Sequence, residues 1–169
     1  IFGALNDQSI AWKVAERAYE EGAEIVLTNA PIALRMGTIS TLAEKTNASV
    51  ISADATSLED LEHLFTESMK ILGGKVDFVL HSIGMSPNVR KGLDYDALNY
   101  GYYHKTLDVS AFSLHKVLST ARKMDAINEW GSVVALSYVA AQRTFAGYND
   151  IAYAKAILES IARSFGYMY

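Results

Sequence analysis

Cysteine is absent from the 169 residues. That removes disulfides, thiolate metal sites and cysteine nucleophiles together, and it fits a reducing compartment, so the cytoplasm is the expected location. Basic charge is also short. With a net charge of −4 and a pI of 5.5, no positive field draws phosphate backbones or anionic lipid, and neither nucleic acid nor a membrane surface is an expected partner. No stretch approaches about eighteen uninterrupted apolar residues, and the N-terminus lacks the charged region, apolar run and small-residue site of a secretion signal; neither a span nor a leader is expected. The 2 prolines, Pro31 and Pro87, each follow an apolar run. No linker, repeat or low-complexity stretch divides the chain, and one domain over residues 1–169 is expected. The G-x-S-x-G elbow of the α/β serine hydrolases and the P-loop are missing too. His63, His81, His104 and His115 show no metal-ligand spacing, so no metal is expected.

What is present is an ordinary core composition, 50% hydrophobic and 20% charged, arranged in alternation. Short apolar runs at Ile1-Phe2, Glu24 to Asn29, Ala48 to Ala53, Val76 to His81 and Ser132 to Ser137 are rich in Val, Ile and Leu without polar alternation, as strands buried on both faces of a parallel sheet are. Helical periodicity covers Ser9 to Glu21, Ala33 to Thr46, Ser57 to Leu72, Tyr95 to Ile127 and Asp150 to Tyr169. Ser57 with Asp60 reads as a capping box, and Gly22 and Gly73-Gly74 as helix stops. Strict βα alternation predicts an α/β fold: a Rossmann-like, doubly wound parallel sheet in three αβα layers, binding ligands beyond the carboxyl ends of its strands. The chain opens at the end of a strand and closes inside a helical pattern, so it reads as a domain truncated at both ends.

The strand ends then supply the candidate site. Gly3 permits a tight turn against a pyrophosphate and Ser9 an anion contact at a helix start, or they are a plain turn and an N-cap, since G-x-G-x-x-G is absent. The second strand ends at Asn29-Ala30-Pro31 without an acidic clamp for the adenosine ribose, and no Arg or Lys precedes Arg35 to meet a 2′-phosphate, which favours NADH over NADPH. Asp54 either accepts from the adenine amino group or begins a turn. Gly84, in His81-Ser82-Ile83-Gly84, lets backbone lie close to a flat ring or ribose, or is a loop glycine.

Tyr148 and Lys155 follow the last strand seven residues apart, about two helical turns on roughly one face. Chance alone supplies roughly one half of such a pair; its place after the fifth strand gives it weight. A phenol aimed at a thioester oxygen stabilises the enolate formed when hydride adds to the β-carbon of an enoyl thioester, and a nearby ammonium binds nicotinamide-ribose hydroxyls.

Gly3 through Ala11 with Ser9-Ile10-Ala11, His81-Ser82-Ile83-Gly84, and Ser137-Tyr138 followed by Tyr148 and Lys155 resemble the bacterial NADH-dependent enoyl-acyl-carrier-protein reductases, a divergent branch of the short-chain dehydrogenases. The commoner four-residue tyrosine-lysine spacing does not occur. The resemblance covers essentially the whole chain. It implies that Tyr148 contacts the substrate carbonyl, Lys155 the cofactor ribose, and Tyr138 the acyl site. Gly3, Ser9, Ile10, Asp54, Ala55, Ser82, Ile83 and Gly84 would belong to the cofactor pocket. It further implies an enoyl thioester on acyl carrier protein as substrate, fatty-acid elongation as the setting, and homotetramers packed through the last helices. The family continues with two more strands and a substrate-covering loop, so a chain without them is expected to be unstable or inactive. Two other readings remain: a non-catalytic dinucleotide-binding or assembly module, suggested by the nearly all-round apolar helix from Ile151 to Met168, and a ketoreductase of the same superfamily.

Overall fold

The apolar runs pair side by side in parallel. In the computed structural model, which describes residues 1–169, the strands are β1 (Val26–Asn29), β2 (Ser49–Ser52), β3 (Val76–His81) and β4 (Ile127–Ala135). β1 pairs with β2 and β3 with β4. Phe2 bridges Thr28 of β1 and His81 of β3. The sheet therefore runs β2, β1, Phe2, β3, β4, all parallel, and the order reverses at Phe2. This is the doubly wound arrangement expected from the alternation.

Alternating side chains in the strands bury opposite faces. Leu27 and Leu80 pack with Ala11, Trp12, Ile39 and Leu42, residues of α1 (Ile10–Glu20) and of α3 (Ile39–Thr46), which follows the short α2 (Pro31–Met36). Phe2 and Val79 pack on the other face with Leu61, Phe65, Val117 and Ala121, from α4 (Leu58–Ile71) and from α7 (Ser113–Lys123). Between these lie the one-turn α5 (Pro87–Arg90) and α6 (Tyr100–Leu107). The last helix, α8 (Asn149–Met168), closes against α7 through Leu114, Leu118, Ala154, Leu158 and Phe165. No helix is long and apolar enough to cross a membrane.

Local signals act as read at several ends. Ser57 Oγ accepts the Asp60 N–H at 3.2 Å and donates to the Asp60 carboxylate at 3.0 Å. Gly22 and Gly73 take φ of 89° and 71°, the left-handed stops that end α1 and α4.

Three expectations need correction. The helix expected over Ala33 to Thr46 is broken at Gly37-Thr38, because the backbone there presses on the loop after Phe2. The Thr38 N–H donates to the Leu5 carbonyl at 2.9 Å, and a Cβ on Gly37 would stand 2.4 Å from that oxygen. The helix expected over Tyr95 to Ile127 begins only at Tyr100 and passes through a π-helical turn at Asp108–Phe112 before α7. Asp125, at φ 50°, turns the chain back, and Ile127 already opens β4. That strand starts before Ser132 because Val76 pairs with Ile127 while Phe78 pairs with Ser132. The residues between form a wide bulge around Trp130, 95% exposed.

Candidate functional site

Beyond the carboxyl end of β3, beside the point where strand order reverses, a cleft of about 350 Å³ opens between the segment Ser82 to Arg90 and the segments Leu136–Tyr138 and Tyr148–Lys155. Ser82, Ile83, Gly84, Tyr138, Tyr148 and Lys155 all line it. Two of the three sequence motifs thus meet in one place.

Lys155 lies in the second turn of α8, only 6% exposed. Its ammonium donates to the Ile83 carbonyl at 2.8 Å and the Leu136 carbonyl at 2.7 Å, tying the ends of β3 and β4 to α8. Burial lowers its pKa from 10.5 to about 8. An ammonium has three donors, so one is left for a ligand. Gly84 lies directly against it: a Cβ there would stand 3.7 Å from both Lys155 Cε and Nζ. The space above Gly84 stays open because glycine is there, and a ribose can reach the third N–H through it. The cleft therefore fits the sugar of a nicotinamide cofactor.

Tyr148 stands just before α8 rather than within it, at φ −102° and ψ 36°. The two-turn helical spacing read from the sequence is thus only partly helical. Its ring stacks on Tyr138 with centroids 4.9 Å apart and planes at 29°. Tyr148 remains 39% exposed, and the Tyr138 phenol is held above its ordinary value, first by Tyr148 beside it and then by partial burial.

The remaining predicted cofactor residues lie outside the lining of this cleft. Gly3 takes φ 91°, and a Cβ there would stand 1.9 Å from the Ser82 carbonyl oxygen, so the fold itself requires this glycine. Ser9 opens α1 without a side-chain cap. Its hydroxyl donates to the Asn6 carbonyl at 2.7 Å and accepts the Leu5 N–H at 3.3 Å, closing the loop in front of the helix. Ile10 is exposed. Asp54 begins a turn: its Oδ1 accepts from Thr56 N–H at 2.9 Å and Thr56 Oγ at 2.7 Å. Ala55 is buried in the core. Asn29 donates to the Ala4 carbonyl at 3.0 Å, so the side chain standing where an acidic clamp was sought holds the first loop instead.

Residues not anticipated also shape the cleft. Ser110, in the π-helical turn, is fully buried; it accepts the Met85 N–H at 2.8 Å and donates to the Met85 carbonyl at 2.9 Å. Asp150 is buried two residues after Tyr148 and bonds to Ser86 of the opposite wall. No sequence pattern marks the Ser110 contact; an Asp so near a candidate tyrosine was the one available signal for the other.

The family described as Enoyl-(Acyl carrier protein) reductase matches residues 3–169. The chain belongs to this family. Among solved structures, the reductase of the FabI–NADH complex from Alistipes finegoldii is 71% identical with a TM-score of 0.98, matching 100% of this chain and 60% of that one. The enoyl-[acyl-carrier-protein] reductase (NADH) of Aquifex aeolicus is 26% identical, with a TM-score of 0.88 over 99% of this chain and 65% of its own. Among curated relatives, the enoyl-[acyl-carrier-protein] reductase [NADH] FabI of Rickettsia bellii is 34% identical over 165 residues, 96% of this chain and 61% of the relative. The chain spans about three fifths of the length of these family members.

Proposed function

We propose that the protein reduces trans-2-enoyl thioesters on acyl carrier protein to the saturated acyl thioesters, using NADH, within fatty-acid synthesis. The observation carrying this reading is the convergence of Tyr148, Lys155 and the open face of Gly84 on one cleft. When bound, the nicotinamide supplies the hydride. Tyr148 then offers its hydroxyl to the thioester oxygen, where negative charge develops. Lys155 holds the ribose with its free N–H and keeps the potential beside the phenol positive. Tyr138, stacked on Tyr148, limits the phenol's swing and walls the acyl side. NADH is favoured over NADPH because Asn29 is engaged with Ala4 and no cation stands between it and Arg35. Gly3, Ser9, Ile10, Asp54, Ala55, Ser82 and Ile83 are assigned to the cofactor region.

Self-assembly into tetramers through α7 and α8 belongs to the same proposal. Between these helices runs an uncovered groove of about 680 Å³ in which Ile157, Ile161, Phe165 and Met168 of α8 face a polar wall with Arg122 and Lys123, and α8 leaves Tyr153 and Tyr167 exposed as well.

The test offers the complete protein crotonyl and acetoacetyl thioesters with NADH and with NADPH. Turnover of the crotonyl thioester with NADH is the expected result. Preference for acetoacetyl thioester would make it a ketoreductase, and NADH binding without turnover of either would make it a binding module.

A further inference from the structure

Asp150 lies in the first turn of α8, fully buried, and its carboxylate meets three side-chain donors and no cation. Ser86 Oγ donates to Oδ1 at 2.5 Å, Asn88 Nδ2 to Oδ2 at 2.7 Å, and Thr106 Oγ to Oδ2 at 2.8 Å. Removing a carboxylate from water costs several kcal/mol, which such donors and a helix N-terminus offset. An apolar side chain of similar volume would pack the helix at less cost. What the carboxylate adds is direction, because its donors come from separate elements.

Ser86 begins α5, whose Val89 and Arg90 form one wall of the cleft. Asn88 also exchanges bonds with the backbone of Asn99, at 3.2 and 3.1 Å, which fixes the start of α6, and Thr106 lies in α6 itself. Next to Asp150, Asn149 donates to the Leu93 carbonyl at 2.6 Å. The segment from Ser86 to Thr106 is thus fastened to the residues immediately after Tyr148. Lys155 is held separately, by Ile83 and Leu136.

We propose that Asp150 is a positioning residue: its carboxylate clasps the Ser86–Arg90 wall to the start of α8 and so sets where the Tyr148 hydroxyl stands across the cleft. The proposal rests on Tyr148 being the donor to the thioester oxygen. A displacement of about 1 Å at such a group can cost on the order of 100-fold in rate.

The experiment measures kcat on crotonyl thioester and NADH affinity in the complete protein for Asp150→Val, Asp150→Asn, Tyr148→Phe and the double variant Tyr148→Phe/Asp150→Val. Asp150→Val is expected to lower kcat by about 100-fold with NADH Kd within about twofold. Asp150→Asn can keep two acceptor bonds and donate to Ser86, so it should restore most of the rate. In the Tyr148→Phe background the valine should add less than about threefold, since residues acting as a unit are not additive. A purely structural role would instead give multiplying losses, or kcat and NADH affinity falling together; either overturns the proposal, as does a wild-type kcat in Asp150→Val. Should that variant not fold, Thr106→Val and Ser86→Ala carry the same comparison, each expected to lose about three- to tenfold in kcat, again only while Tyr148 is present. If wild type shows no turnover, or Tyr148→Phe keeps its rate, the proposed reaction or donor fails, and this proposal with it. An impaired Tyr148→Phe beside an unimpaired Asp150→Val defeats this proposal alone.

Discussion

At the residue scale, Lys155 concentrates the electrostatics of the cleft. Its burial brings the ammonium to about 8 from 10.5, so the folded protein releases this proton well before the unfolded chain does. Charged Lys155 therefore costs about 3 kcal/mol below pH 8, and stability from this group rises as pH climbs from 8 towards 10.5. Ligand binding has the opposite sense: NADH titrations should show Kd rising as pH passes 8, with Lys155→Met losing affinity and that pH dependence together. Gly84 makes an independent prediction. A Cβ there meets Lys155 only at ordinary contact distance, 3.7 Å, so Gly84→Ala should leave thermal stability within about 1 kcal/mol while weakening NADH binding about tenfold or more. Equal affinity by calorimetry would show that nothing lies over Gly84. That Lys155 and Gly84 meet at one cleft was legible in the sequence from residue type and place after a strand. Their partners, the carbonyls of Ile83 and Leu136, were not, because a backbone acceptor has no signature in the side-chain string.

At the element scale, βα alternation was legible because the strand runs are apolar, although the both-face burial expected of them is met only by β1 and the second half of β3: β2 and β4 leave Val50 and Val134 exposed. The breaks were not legible. α2 and α3 separate where backbone meets backbone at Gly37 and Leu5, and only the isolated glycine hinted at it. The π-helical turn brings Ser110 onto Met85 with no compositional mark. The first half of β4 is hidden by the polar, bulged stretch Asn128 to Gly131. The Gly3 turn shows the same limit from another side: read as either a phosphate turn or a plain one, it is in both cases required by the neighbouring strand end. Gly3→Ala would force a Cβ to 1.9 Å from the Ser82 oxygen at φ 91°, and chemical denaturation should record a loss of about 3 kcal/mol or more, or no folded protein. Wild-type stability would mean that the turn relaxes freely.

At the scale of the whole molecule, α4 and α7 cover the sheet face that carries Phe2, Val79 and His81. His81 is fully buried, bonded through Nε2 to Ser113 Oγ at 2.9 Å, with Nδ1 unpartnered. Burial first, and the charge of Lys155 second, lower its pKa from 6.5 to about 3. The unfolded chain therefore takes up a proton at 6.5 that the fold refuses, so stability is full above 6.5 and declines as pH falls towards 3. Denaturation midpoints measured from pH 7 to 4 should fall, and His81→Gln should flatten the decline. The same sheet and helices hold Tyr148 and Lys155 at one cleft, and the most direct test is there. In the complete protein, Tyr148→Phe keeps the ring stacked on Tyr138 and removes only the hydroxyl. The expected result is NADH affinity unchanged within about twofold and kcat on crotonyl thioester lowered about 100-fold or more; unchanged turnover would contradict the role assigned to Tyr148.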